Sequence, residues 1–212
     1  MDKQQEQLET LRDIRSLMER SSRFISLSGF SGVIAGIAAI IGVVAAYSYL
    51  GMSFNEPGYY KYALLENGEL NKEVCTFLTM IISAVLIASL LAASILTMKN
   101  AKQKGRPVWD VTAKRMLINL MIPLITGAVY CLILLYHHNI AFIAPATLIF
   151  YGLALLNASK YTLNDIRFLG VLQVITGLLS MIFLEYALLL WSFGFGLLHI
   201  VYGITMYYKY EK

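Results

Sequence analysis

The stretch KNAKQKGRPVWDVTAKR, residues 99–115, separates two long apolar segments and decides how the chain is arranged. It carries six Lys or Arg side chains against one acid, Asp110. Short loops that stay on the cytoplasmic side of a membrane carry such an excess of Lys and Arg. We therefore predict a cytoplasmic loop whose cations fix the topology and contact lipid headgroups. These cations are Lys99, Lys102, Lys104, Arg106, Lys114 and Arg115.

The composition is that of a membrane domain. Of the 212 residues, 58% are hydrophobic and only 14% are charged, whereas soluble domains average about 25% charged residues. The apolar runs occupy most of the chain, so a single membrane domain is expected. The net charge of +4 is explained by its distribution as a topology signal, and nucleic acid is not an expected partner.

The apolar runs predict an all-α fold, a polytopic transmembrane bundle of six helices. The last run, residues 168–207, would be about 60 Å long as one helix, twice the hydrocarbon core of about 30 Å, so it must contain two spans. Glu185 is the only charge in this run and marks the turn. The predicted spans are residues 24–50, 75–98, 114–136, 140–157, 168–184 and 188–207, in a membrane domain of residues 24–208.

The charges on the two sides of these six spans predict the orientation. With the basic loop inside, fifteen of the seventeen Lys and Arg residues fall on the inner side. The inner segments then sum to +7 and the outer segments to −3. Both termini are therefore predicted to lie in the cytoplasm.

The segment before the first span, residues 1–23, is predicted to form an amphipathic cytoplasmic helix. Leu8, Leu11, Ile14 and Met18 recur at spacings of three and four and share one stripe. Three alternatives stay open at this point. The helix lies on anionic headgroups of the inner leaflet, or pairs with a partner helix through a short heptad seam, or covers the cytoplasmic side of its own bundle.

Small residues at a spacing of four predict close helix packing in the first span. Ser28, Gly32 and Gly36 form one such series. Small residues at this spacing allow helix backbones to approach closely in lipid. The series fits either a central helix of the bundle or an oligomerisation face between copies of the chain.

Two stretches resemble an uncharacterised family of small bacterial multi-pass membrane proteins. They are IRSLMERSSRFISLSGFSG, residues 14–32, and PATLIFYGLALLNASKYT, residues 145–162. The resemblance extends over nearly the whole chain. It implies a six-span protein of the bacterial inner membrane, and it implies no activity and no site residues.

Polar residues at one depth form the candidate site. Counted from the inner boundary at about 1.5 Å per residue, five polar side chains lie roughly 8–12 Å inside the membrane. They are either a ligand pocket open to the cytoplasm or a set of hydrogen bonds between helices, and the second interpretation is favoured. The five residues are Asn119, Tyr151, Gln173, His199 and Tyr202.

No motif predicts a metal, a cofactor or catalysis. A partial match to the first signature of lipid phosphatases, Lys99 to Pro107, lacks the histidines of the other signatures. His199 has no second histidine at its depth, so a satisfied core histidine is favoured over a haem or metal ligand. Cys75 and Cys131 lie toward the outer ends of their spans, where a disulfide between them is possible but strained.

These observations leave two classes of function. The favoured one is a non-enzymatic membrane protein that works by binding, as a partner subunit, sensor or regulator. The alternative is a transporter or channel for a small neutral or lipid-like solute, which would use the polar layer. The predicted partners are the lipid bilayer and either a second copy of the chain or another membrane protein.

Overall fold

The computed structural model describes residues 27–53, 58–105 and 108–212. Its secondary structure is 84% helix, with no strand in the described residues. The predicted amphipathic helix of residues 1–23, the beginning of the first predicted span and Arg106 lie outside the described residues.

Six helices are long and apolar enough to cross a membrane, which confirms the all-helical, multi-pass character predicted from the sequence. Each overlaps one predicted span. Spans two, three, four and six extend several residues beyond the apolar runs, whereas span one begins at Gly29 and span five ends at Ile182, inside their predicted bounds. Spans one to six are Gly29–Leu50, Lys72–Gln103, Val111–Tyr136, Ile140–Tyr161, Asp165–Ile182 and Leu184–Tyr210.

Local sequence signals fix several helix ends. Asn71 and Asp110 are N-caps, since their side-chain oxygens accept hydrogen bonds from the backbone N–H groups of Val74 (3.3 Å) and Ala113 (2.6 Å). Such caps satisfy donors that have no partner within the helix. Span one ends at Leu50 and is followed by Gly51, whose φ of +63° is a left-handed conformation that favours glycine.

Glycines bring the helices of the core into backbone contact. A Cβ atom on Gly152 of span four would lie 2.7 Å from the carbonyl oxygen of Gly170 in span five. A Cβ on Gly36 of span one would lie 2.6 Å from the carbonyl oxygen of Gly196 in span six. Spans four and five, and spans one and six, therefore cross with almost no side chain between them.

Spans two and three lie at the edges of this core. Span two packs chiefly against span one, where Val85 and Ile81 reach Gly42. Span three packs chiefly against span four. In the most apolar eighteen residues of each helix, none of the span-two residues and 11% of the span-three residues are buried.

One end of the bundle, which we call the cap end, is closed by the connection between spans one and two. Tyr59 is buried there, and its hydroxyl donates a 2.7 Å hydrogen bond to the carbonyl oxygen of Ile140. Burial raises the pKa of Tyr59 well above its usual range. Lys61 pairs with Glu185 at 3.0 Å. The buried cap-end cluster consists of Leu50, Tyr59, Ala63, Val74, Ile140, Ala144 and Ala187.

The opposite end, which we call the clasp end, is held by the C-terminal residues. Glu211 accepts hydrogen bonds from the Ser28 hydroxyl (3.3 Å) and from the backbone N–H of Gly29 at the start of span one. Lys209 contacts Asp165 at 3.0 Å. The Lys104 ammonium group donates a 3.4 Å hydrogen bond to the carbonyl oxygen of Tyr210. The basic loop thus shares this end with the start of span five and the C-terminus.

Candidate functional site

Three of the five polar residues predicted at one depth meet in the core. The Tyr151 hydroxyl of span four lies 2.9 Å from Nε2 of His199 in span six. Nε2 of Gln173 in span five lies 3.3 Å from Nδ1 of the same histidine. We call these three residues the His199 cluster, and it joins spans four, five and six.

A backbone carbonyl completes the His199 cluster. The carbonyl oxygen of Gly194 accepts a 2.8 Å hydrogen bond from Nε2 of Gln173 and lies 3.0 Å from Nδ1 of His199. Two neutral arrangements satisfy these distances. Either Nδ1 donates to Gly194 while Nε2 accepts from the Tyr151 hydroxyl, or Nε2 donates to Tyr151 while Nδ1 accepts from Gln173.

Gly194 belongs to a π-helix, Ser192–Leu198, that interrupts span six just before His199. π-helical segments are rare and occur frequently at functional sites. Gly194 leaves room for Gln173, because a Cβ atom at Gly194 would lie 2.7 Å from the Gln173 Oε1 atom. A larger residue at this position would force the side chains of Gln173 and of Leu148 in span four to shift.

Aromatic rings line the same side of span six. Phe195 stacks on His199 with ring centroids 5.8 Å apart, and it also contacts Tyr151 and Trp191. The Trp191 indole N–H donates a 3.1 Å hydrogen bond to the Thr147 hydroxyl of span four. Trp191 thus ties the beginning of the π-helix to the helix that carries Tyr151.

The His199 cluster is enclosed by protein. Gln173 is 0% exposed and His199 is 7% exposed. Gln173 Oε1 is buried without a hydrogen-bond partner, and so is the Ser180 hydroxyl two turns further along span five. Buried polar atoms are nearly always paired, so an unpaired amide oxygen in the core calls for an explanation.

Asn119 and Tyr202 take no part in the hydrogen bonds of the His199 cluster. The Asn119 amide donates to the carbonyl oxygen of Arg115 at 2.8 Å, and its backbone carbonyl accepts from the Asn157 amide at 2.8 Å. The second of these bonds ties span three to span four, whereas the first lies within span three. Tyr202 instead packs against an apolar cluster of Leu155, Leu169 and Leu198.

The small residues of span one contact span six of the same chain. A Cβ on Gly32 would lie 3.3 Å from the carbonyl oxygen of His199, and Gly36 meets Gly196. Ser28 is 6% exposed and bonds to Glu211. This face of span one is therefore occupied within the monomer, as expected for a central helix.

The described cations of the basic loop are exposed at and near the clasp end. Lys104 has the backbone contact to Tyr210 given above. The others form an exposed cationic group on spans two and three, namely Lys99, Lys102, Lys114 and Arg115. This arrangement suits contact with anionic headgroups.

Neither a metal site nor a disulfide is formed by the described part of the chain. Within residues 27–53, 58–105 and 108–212, no three His, Cys, Asp or Glu side chains lie close enough together to hold a metal ion. Cys75 and Cys131 are both free thiols.

Sequence reasoning missed Gly194 and the π-helix. The only signal in the sequence is the SFGFG segment, residues 192–196, where two glycines occur within a predicted span.

No known protein family, no curated protein and no solved structure matches this chain. The class of protein is therefore defined by the six apolar helices alone, and the resemblance to a bacterial family stays a prediction.

Proposed function

We propose that this chain is a multi-pass protein of the bacterial inner membrane with both termini in the cytoplasm. The support is the charge distribution, since the cationic loop, the start of span five and the C-terminus meet at the clasp end. The cap end carries Glu66, Glu69 and Glu185. The positive-inside rule then assigns the clasp end to the cytoplasm.

Thiol labelling tests this orientation. In a background with Cys75→Ser and Cys131→Ser, the exposed positions Glu66 and Lys102 are replaced singly by cysteine. A membrane-impermeant maleimide added to intact cells should label the Glu66→Cys variant, whereas the Lys102→Cys variant should react only after lysis. The reverse pattern would invert the proposed topology.

We further propose that the protein works by binding another membrane protein, as a subunit or regulator, without catalysing a reaction. The observation that carries this proposal is the isolation of span two. This helix has 32 residues, about 48 Å at 1.5 Å per residue, so it exceeds the hydrocarbon core by roughly 18 Å. Of its residues only Val74 and Ala101 are buried.

A long helix that packs chiefly against one other span offers a free face to a partner helix. Association of helices in lipid depends on packing, and the chief contact of span two is with span one. Its remaining surface is apolar, with Leu86 56% exposed and Leu90 57% exposed. The enclosed His199 cluster, in contrast, offers little surface to a solute.

Native mass spectrometry of the protein released from a mild detergent tests the binding function. A reproducible assembly without a small ligand supports it. Leu86→Trp in span two should dissociate that assembly, whereas Ile41→Trp, on a 63% exposed site of span one, should leave it intact. A monomer in both variants and in the parent would contradict the proposal.

The second candidate is transport of a small neutral or lipid-like solute. It is favoured by the unpaired polar atoms on span five, Gln173 Oε1 and the Ser180 hydroxyl, in the core of the bundle. Transport predicts that a monomer carries a reproducible small molecule, which His199→Ala removes. Binding predicts that His199→Ala has little effect and that deletion of residues 1–20 abolishes the assembly.

A further inference from the structure

We propose that the His199 cluster is a proton-binding site inside the membrane domain, and that binding one proton exchanges the side chain bonded to the Gly194 carbonyl of the π-helix. This inference does not depend on which of the two candidate functions applies. Ionisable side chains within membrane spans, histidine included, are rare and commonly mark proton relays.

The first step of the argument concerns the two ring nitrogens. In the neutral imidazole one nitrogen donates and the other accepts, whereas in the imidazolium both donate. Nε2 of His199 faces the Tyr151 hydroxyl at 2.9 Å, and Nδ1 faces the Gly194 carbonyl oxygen at 3.0 Å. Hydroxyl and carbonyl oxygens both accept, so each nitrogen of a protonated ring already faces an acceptor.

The second step concerns Gln173. Its Nε2 atom is a donor that lies 3.3 Å from Nδ1 of His199. When Nδ1 carries a proton, two donors face each other. A half-turn of the amide brings Oε1 to the histidine instead, and Oε1 is the atom that has no partner in the present arrangement. The rotation thus replaces a donor next to Nδ1 with an acceptor, and it uses the oxygen that has no partner in the neutral state.

The third step is the proton balance. One proton enters from water and binds to His199, which gains one positive charge. The starting state is the second neutral arrangement, in which Nε2 already donates to the Tyr151 hydroxyl, so the new proton binds to Nδ1. Tyr151 stays an acceptor and Gln173 rotates its amide, and neither changes charge. The Gly194 carbonyl loses the amide of Gln173 and takes the Nδ1–H of His199.

The consequence falls on the π-helix, because Gly194 lies in it and His199 follows it directly. Gln173 holds Gly194 from span five, whereas His199 belongs to span six itself. Protonation therefore releases the tie from span five and replaces it with a bond inside span six. Trp191, at the start of the π-helix, is hydrogen-bonded to Thr147 of span four. The environment of its indole ring should therefore change when the Gly194 carbonyl exchanges its partner.

Among the described residues that hydrogen-bond to His199 or stack on its ring, Tyr151 of span four is the one other titratable group. Gln173 of span five carries no charge, and the His199 carbonyl oxygen lies 3.3 Å from the position of a Cβ atom on Gly32 of span one. Within the described residues, no carboxylate hydrogen-bonds to His199 or stacks on its ring. The added charge therefore has no carboxylate partner among the described residues.

The fluorescence of Trp191 tests the proposal. Trp109→Phe leaves Trp191 as the only tryptophan. In this parent, emission should change in one transition of one-proton steepness as the pH is lowered. His199→Gln should abolish the transition, and His138→Gln, at the exposed cap end, should leave it unchanged.

Two variants at position 173 sharpen the result. Gln173→Glu brings a carboxylate to Nδ1 and should move the midpoint to higher pH by at least about one unit, because an opposite charge favours the imidazolium. Gln173→Met removes the new acceptor and should move it to lower pH. Midpoints that are equal in both variants and the parent would overturn the proposal.

The protonation of His199 can also be measured directly in the parent protein, so that the test does not depend on correct folding of the His199→Gln variant. The ¹⁵N resonances of the three histidines in the parent protein report the charge of each ring. The His199 ring should gain its proton over the same pH interval in which Trp191 emission changes. A His199 resonance that stays neutral across this interval, or an emission transition that follows His137 or His138 instead, would refute the inference.

Discussion

Gly152→Ala is predicted to destabilise the protein by separating spans four and five. The new Cβ atom would lie 2.7 Å from the Gly170 carbonyl oxygen and 2.8 Å from the backbone nitrogen of Val174. Ordinary contacts begin at 3.4 Å, so the helices must move apart by about 0.7 Å. A gap of this size forfeits a quarter to a half of the dispersion energy of each contact along the crossing.

The expected loss follows from two opposing effects. Overpacking of this kind costs about 1–3 kcal/mol, and the upper part of the range applies because both neighbours are backbone atoms. Alanine returns up to about 1 kcal/mol through its higher helix propensity. The net destabilisation is therefore about 2 kcal/mol, which lowers the melting temperature by roughly 4–8 °C for a chain of this size.

Thermal unfolding in detergent, followed by circular dichroism, measures this effect. Gly58→Ala is the matched control, because its new methyl group meets only the flexible side chain of Lys61. Gly58 is buried, but the flexible Lys61 side chain can shift by the few tenths of an ångström that the methyl group needs. The substitution should therefore cost less than about 0.5 kcal/mol and change the melting temperature by less than about 2 °C. A Gly152→Ala protein as stable as the parent would show that the two backbones are not in contact there.

Three further predictions concern the two ends of the bundle. Tyr59→Phe should cost about 1–3 kcal/mol, because the Ile140 carbonyl loses its buried donor. Since burial raises the Tyr59 pKa, the contribution of the Tyr59 hydroxyl to stability should be complete below about pH 10 and fall as the unfolded chain ionises above that pH. Alkaline unfolding curves of the parent and of Tyr59→Phe would measure this fall. Glu211→Gln should speed amide hydrogen exchange at Gly29 severalfold by weakening the cap on span one, and unchanged exchange would refute the clasp. A double-mutant cycle on Lys61 and Glu185 should give less than about 1 kcal/mol, because both side chains are more than half exposed.

The six helices could be predicted because hydrophobicity and length decide them. A helix that crosses a membrane needs about 20 apolar residues, and charges cannot lie inside it without a functional reason. The cost of a charge inside the membrane also explains why Glu185, the one charge in residues 168–207, identified the turn between spans five and six. The proximity of Gln173 to His199 was predictable from depth, since the helical rise fixes how far each residue lies from the boundary.

Depth does not specify which helices are neighbours. Asn119 lies at the same predicted depth as Gln173, but span three packs at the edge of the bundle and its amide bonds to its own backbone. Gly32 and Gly36 predicted a close contact without naming the partner, which proved to be span six. The π-helix could not be predicted either. It changes which residues share a face of the helix after Ser192, and the spacing of apolar residues in the sequence gives no sign of that change.

The pairing of span one with span six has a consequence for how the protein is made. Leu50 ends span one and Leu184 begins span six, so some 130 residues must be synthesised between them, which takes roughly 7–26 s at 5–20 residues per second. During that interval Gly29, Gly32 and Gly36 face the membrane without their partner, and only span two covers the other side of the helix. The nascent chain therefore exposes a face that can associate with the wrong helix. The protection of this face until span six is inserted determines how many molecules reach the native bundle.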